Sequence, residues 1–341
     1  MNSSAINLMR TLAIFMVIVV HVCAAPFKVM DASWLSINVV DSLARWCVPV
    51  FFMLSGALLL GKNEPLSVFF KKRIIKIILP LIFWSYVYLI FSRYFSHLDT
   101  DHAYPNVSFK IKDIIRGPAY FHLWFIYAII TIYIATPMMR ALVQDASKQL
   151  VSYCLICWVI GASILPTLED TGILKNNFFY YNFDFLPQYL GYFLLGFFLS
   201  NYYGKINNLV GYFLVLLGWS CTFLLTTYQK TGKLVPIDLF YSYLSPNVII
   251  MSIGIFIVIS KFKYESKIIT SLGNCSFGIY LSHMLIMPLV WLMVPNINNT
   301  AIAASGWYSP LLIIISSLLV FLLSYVVVLI LKRGKITRLV V

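Results

Sequence analysis

Residues Asn7 to Ala25 read NLMRTLAIFMVIVVHVCAA. An apolar run of this length, with one arginine near its mouth and one histidine deep inside, is the pattern of a membrane-crossing helix. At ~1.5 Å rise per residue, Arg10 and His21 lie ~16 Å apart along the axis, and eleven steps of ~100° return them to nearly one face. An ionisable side chain inside a span is costly, so its presence points to function. A base able to be neutral therefore shares a helix face with a cation at the membrane surface. The run also resembles a secretory signal ending in Cys23-Ala24-Ala25, but cleavage there would remove both residues, so an uncleaved first span is expected.

The rest of the chain agrees. Of 341 residues, 61% are hydrophobic and 11% charged, with mean hydropathy +0.87. A soluble domain carries roughly 25% charged residues, far more than this chain has to coat a surface. The long continuous runs exclude a β-barrel, whose strands alternate over ~10 residues. The class is all-α and polytopic, a single membrane domain over 1–341. The net charge of +13 is no nucleic-acid signature, because the lysines and arginines sit between apolar runs, as membrane topology requires. The six cysteines fall in or beside apolar segments, including the Cys154/Cys157 CxxC, and are read as packing.

About ten transmembrane helices are expected, near 8–26, 43–60, 76–95, 121–140, 149–165, 185–201, 208–227, 240–260, 274–294 and 309–331. An even number puts both termini on one side. That side holds sixteen lysines and arginines against nine on the other, which places both termini in the cytoplasm. The stretch Ser67 to Leu79, SVFFKKRIIKIIL, is expected to lie as an amphipathic helix at the cytoplasmic interface, with a bend at Pro80 into the third span.

Chemistry must come from few residues. All twelve carboxylates fall in loops or at span ends, which argues against an ion-coupled transporter. No phosphate-binding glycine loop, nucleophile elbow or metal-ligand cluster is present, so no metal is expected. Of five histidines, His97 and His102 sit in an acidic outer connection and read as solvated. His122 precedes Leu123-Trp124-Phe125 and reads as an interfacial belt or a site residue. His283, in SFGIYLSHMLI, reads as a helix-packing donor or a site residue. Asp41 and Arg45, spaced i, i+4, form an ordinary helix ion pair or part of an outward acceptor site. What remains suits general-base chemistry by histidine with cationic helpers.

Six stretches together resemble one family. They are Arg10 to His21 as R-x10-H; RWCVPVFFMLSGALLL at 45–60; RIIKIILP at 73–80; HLWFIYAIITIYIATP at 122–137; LGYFLLGFFLSN at 190–201; and LGNCSFGIYLSHMLI at 272–286. In that order they resemble the membrane acyltransferase-3 family of bacterial surface-polysaccharide O-acyltransferases, and most of all its single-module members related to the enterobacterial-common-antigen O-acetyltransferase. The resemblance implies an enzyme of the bacterial inner membrane. It would move an acyl group, usually acetyl, from cytoplasmic acyl-CoA to a hydroxyl of a lipid-linked or surface glycan. It makes Arg10 and His21 the required pair. The family's R-x-x-R before the third span falls on Arg73 and Lys76, where lysine keeps the charge but lacks the bidentate fork. Asn7 stands where many members carry aspartate, and the late-span glutamate of some members is absent.

The expected mechanism sets the phosphates of acetyl-CoA against Arg10, Arg73 and Lys76 and its thioester near His21, which acts as general base or acyl relay. Trp124, Tyr127 and Tyr280 are candidates for oxyanion stabilisation. Asp41, Arg45, His122 and His283 are candidates on the acceptor side. The rival readings are a lipid-linked-glycan flippase without covalent chemistry and a structural membrane component.

Overall fold

A computed structural model describes residues 1–28, 33–95, 110–174, 188–230, 238–293 and 310–341. His97 and His102 lie outside the described residues. The helices are α1 (Ser3–Phe27), α2 (Trp34–Ala44), α3 (Cys47–Leu59), α4 (Leu66–Tyr94), α5 (Ile111–Arg116), α6 (Trp124–Gln144), α7 (Lys148–Val159), α8 (Leu165–Asp170), α9 (Leu190–Tyr202), α10 (Asn208–Lys230), α11 (Pro246–Ser260), α12 (Lys267–Met293) and α13 (Pro310–Arg333). No strand occurs among the described residues. Nine helical stretches there are long and apolar enough to cross a membrane, and α9 adds a shorter apolar helix. The chain is an all-α, multi-pass membrane protein.

α1 starts under a side-chain cap, the Asn2 carbonyl oxygen accepting from Ala5 N at 2.9 Å. It packs against α2, α3, α11, α12 and α13. A helix apolar on every side suits a central position. Met9, Ala13, Ile14, Ile18 and Val22 are fully buried there.

The second span begins earlier than residue 43. Trp34–Leu59 crosses as one unit of 26 residues, stepped at Arg45 and Trp46 between α2 and α3. Asn38, Asp41 and Ser42 dilute the hydropathy of α2, yet all three are buried. Asn38 Nδ2 donates to Thr227 Oγ1 at 2.9 Å and to the Phe223 carbonyl at 3.2 Å, so its burial is satisfied across helices. Pro49 falls in the first turn of α3, where no backbone donor is needed. The basic stretch at 67–79 is not a separate interfacial helix. α4 runs unbroken through Pro80 for 29 residues, and Lys71, Lys72 and Lys76 stay exposed along it.

Helix α9 is held by backbone proximity to α3. A Cβ at Gly56 would stand 1.7 Å from the Phe193 carbonyl oxygen, and one at Gly196 would stand 1.8 Å from that of Met53. Small residues let two membrane helices meet at the backbone, where van der Waals packing is the main attraction.

Both chain ends lie at one end of the bundle. The tail returns to α4, where Trp84 Nε1 donates to the Val340 carbonyl at 2.8 Å. Lys332 Nζ donates to the Asn274 carbonyl at 3.0 Å, and neighbouring Gly273 packs on the backbone of Asn7.

Candidate functional site

A cavity of about 430 Å³ runs lengthwise beside α1. The order of its lining residues along each helix gives its direction. α1 contributes Arg10, Val17 and His21; α12 contributes Gly273, Asn274, Ser276, Phe277 and Tyr280. α6 runs the other way, from Trp124 and Phe125 through Ile129 to Tyr133, and α3 likewise from Val48 through Phe51 to Ser55. One end therefore carries Arg10, Lys76, Asn274 and Tyr133. The other carries His21, His122, Trp124, Tyr243 and Tyr280, with an apolar waist between.

The cationic end has two members that face the cavity. Among the described residues Arg10 and Lys76 make no ion pair. Both are thus available to an anion, the more so in a partly desolvated wall. Arg73 is placed differently. It does not line the cavity; its Nη2 lies 2.9 Å from Glu64 Oε1, and its guanidinium covers the Phe69 ring at 4.3 Å. Arg140 shares the same oxygen at 3.0 Å and also donates to the Leu59 carbonyl at 2.9 Å. Burial pushes the Glu64 carboxyl up, but the bond from Arg140 and the charges of Arg73 and Arg140 outweigh that and hold it below the usual carboxylate range.

The other end is a nest of rings. His21 is half-buried and faces the cavity. Its ring meets Phe121 edge-on with centres 5.2 Å apart, and lies 5.2 Å from the ring of His283 with planes 29° apart. His122, buried, sits 5.1 Å from His283 and packs edge-on against Tyr88 at 4.8 Å. The Tyr280 hydroxyl donates to the His122 carbonyl, and the Tyr88 hydroxyl to the Leu281 carbonyl at 2.6 Å. Three histidines far apart in sequence thus converge, two on the cavity wall and His283 behind them. No group of three His, Cys, Asp or Glu among the described residues is placed to hold a metal ion.

The remaining sequence candidates divide. Trp124 lines the cavity and stacks on Tyr243 with centres 6.1 Å apart. Tyr280 lines it too, its hydroxyl already committed to His122. Tyr127 does not line it. Its hydroxyl donates to the carbonyls of Ile114 and Gly117, tying α5 to α6. Asp41 and Arg45 form their i, i+4 ion pair, with Asp41 buried, Arg45 largely so and both outside the cavity lining, and with Arg45 4.0 Å over the Tyr241 ring. Among the described residues Asp41 Oδ1 and Arg45 Nε have no hydrogen-bond partner. This is an interior pair rather than a solvated helix pair.

Sequence reasoning missed Asn274, Ser276, Phe277, Tyr133 and Tyr243. Phe277 and Tyr133 carried a signal, for Gly273, Phe277 and Tyr280 recur at helical spacing, as do Phe125, Ile129 and Tyr133. Tyr243 carried none, because it sits in the irregular approach to α11.

A family model described as an acyltransferase domain matches residues 3–329. No curated protein matches the chain, and no solved structure matches it.

Proposed function

Since this chain belongs to the acyltransferase 3 family and is a multi-pass membrane acyltransferase, we propose that it carries an acetyl group from acyl-CoA to a hydroxyl of a lipid-linked or surface glycan at the bacterial inner membrane. One observation supports this most: a single cavity joins Arg10 and Lys76, two cations without an ion pair among the described residues, to His21.

The cations take the phosphates of the donor by charge-assisted hydrogen bonds. An extended arm of amide-linked units reaches on the order of 15–20 Å, against the ~16 Å axial offset between Arg10 and His21. The waist of Val17, Phe51, Ile126 and Ile129 suits the apolar parts of that arm. His21 takes the proton of the incoming hydroxyl as its oxygen bonds to the thioester carbonyl carbon. The carbon–sulfur bond then breaks, and the leaving thiolate takes that proton from His21. Trp124, which lines the histidine end of the cavity, is the proposed indole donor to developing negative charge. Arg73, paired with Glu64, supports the mouth and does not itself grip the donor.

The test is transfer in isolated membranes. Acetyl-CoA labelled in the acetyl group is supplied with a lipid-linked glycan fraction, and the parent chain is compared with His21→Ala at matched levels. The expected result is label in the glycan with the parent and loss of at least a hundredfold in the variant. Equal labelling by both removes His21 from the chemistry. No label with either, across several donors and glycans, favours a flippase.

A further inference from the structure

His283 is the buried group that the mechanism leaves unused. It is fully buried and does not line the cavity. Its Nδ1 lies 2.6 Å from the Tyr280 carbonyl, an atom that only accepts, so Nδ1 carries the proton. Nε2 is then a lone-pair acceptor, and among the described residues it has no hydrogen-bond partner. A buried acceptor left unmet in the resting protein calls for an explanation. The His21 ring stands 5.2 Å away between centres. Two imidazoles joined by an N–H···N bond have centres about 5 Å apart, so a change of ring orientation closes the contact.

From this geometry we infer that His283 is a positioning residue for His21: its Nε2 accepts a hydrogen bond from His21 once His21 has taken up a proton. The inference rests on the acyl-transfer reading of His21. A general-base histidine is usually steadied by a carboxylate, and no carboxylate lines this cavity. His283 takes that place with a neutral acceptor, which suits a wall too apolar for a lone anion. The proton from the acceptor hydroxyl stays on His21 until the thiolate removes it, and His283 keeps its own Nδ1 proton throughout. The titratable groups around His283 are His21 from α1, His122 from the turn before α6, Tyr88 from α4 and Tyr280 on α12 itself. Tyr325 of α13 is bonded to Ser271 at 2.7 Å, three turns away along α12.

Two measurements test this. The first needs no turnover. The whole protein, labelled with nitrogen-15 at histidine and placed in lipid bilayers, is acidified while its histidine signals are followed. The expected result is an upfield shift of the His283 acceptor nitrogen and a cross-peak to a His21 N–H, both absent in His21→Ala. An unchanged His283 signal, or the same change in His21→Ala, overturns the inference. The second compares His283→Gln, which keeps an acceptor oxygen, with His283→Leu. The leucine variant should lose at least tenfold in kcat with KM for acetyl-CoA unchanged, and glutamine should restore most of it. Equal losses in the two, or a loss confined to KM, overturn the inference. Should His283→Leu fail to accumulate, His283→Asn, whose shorter side chain retracts the acceptor, replaces it in the comparison with glutamine. A parent chain that transfers no acyl group while the cross-peak forms would defeat the acyl-transfer reading and still establish the His21–His283 contact.

Discussion

Arg73 Nη2 sits 2.9 Å from Glu64 Oε1, and this pairing draws the arginine away from the cavity that its neighbour Lys76 lines. The two basic residues lie less than one helical turn apart, yet one braces the mouth of the bundle and the other borders the cavity while staying exposed.

The first prediction separates those roles. Arg10→Gln and Lys76→Gln should each raise KM for acetyl-CoA by about tenfold to a hundredfold, the loss of one charge-assisted hydrogen bond of ~1.5–3 kcal/mol. Arg73→Gln should change KM less than about threefold and lower thermal stability instead. Steady-state kinetics in membranes, with melting of the solubilised variants, checks both; a larger KM effect for Arg73 than for Lys76 would reverse the assignment.

A second prediction concerns acid. The Glu64 carboxyl is held below its ordinary value of about 4.5, so its stabilising contribution is complete above that pH and is lost as pH falls through the lower folded value. Between pH 6 and the onset of carboxylate protonation Glu64→Gln should be less stable than the parent by at most about 1 kcal/mol, given partial solvent access. The gap should close at lower pH. Melting temperatures measured down the pH scale test this, and a gap that widens with acid contradicts it.

The interior pair of Asp41 and Arg45 gives a third. Asp41→Asn strands a buried guanidinium and should cost about 3–5 kcal/mol. Removing both charges, as Asp41→Asn with Arg45→Met, should recover much of that loss, because the partner left behind is what costs most. A double variant less stable than Asp41→Asn alone would show that Arg45 has another role.

The fourth lies at the contact of α3 and α9. Gly56→Ala and Gly196→Ala each drive a methyl into a backbone carbonyl of the opposite helix. Neither carbonyl can rotate aside as a side chain would. Each change should destabilise by about 1–3 kcal/mol or more, seen as reduced accumulation in membranes and earlier melting. Gly204→Ala, with only a carbonyl of its own chain turn at 3.8 Å, is the control that should behave as the parent.

The fold was legible where hydrophobicity is continuous. α1, α10 and α13 are unbroken apolar runs, and the expected limits lie within a few residues of those found. It was least legible in α2, where Asn38 and Asp41 lower the hydropathy while Thr227 and Arg45 partner them from inside the fold. Arg10 and His21 were readable because one helix fixes their relation, and Lys76 only through the resemblance of Arg73 and Lys76 to the family's R-x-x-R. The company of His122 and His283 was not readable, since only tertiary packing brings residues 161 positions apart to a ring separation of 5.1 Å. Tyr127 looked like a site residue by proximity in sequence to Trp124, but its hydroxyl points to the carbonyls of Ile114 and Gly117.

The cationic end of the cavity has one more effect under the acyl-CoA reading. Arg10 and Lys76 would grip the phosphates, and the donor keeps those phosphates after it has given up its acyl group. Spent and loaded donor therefore compete at that end on equal terms, and only the few atoms near His21 tell them apart. Turnover would follow the ratio of acetyl-CoA to free CoA more closely than the amount of either, making surface acylation a readout of the cell's acyl charge.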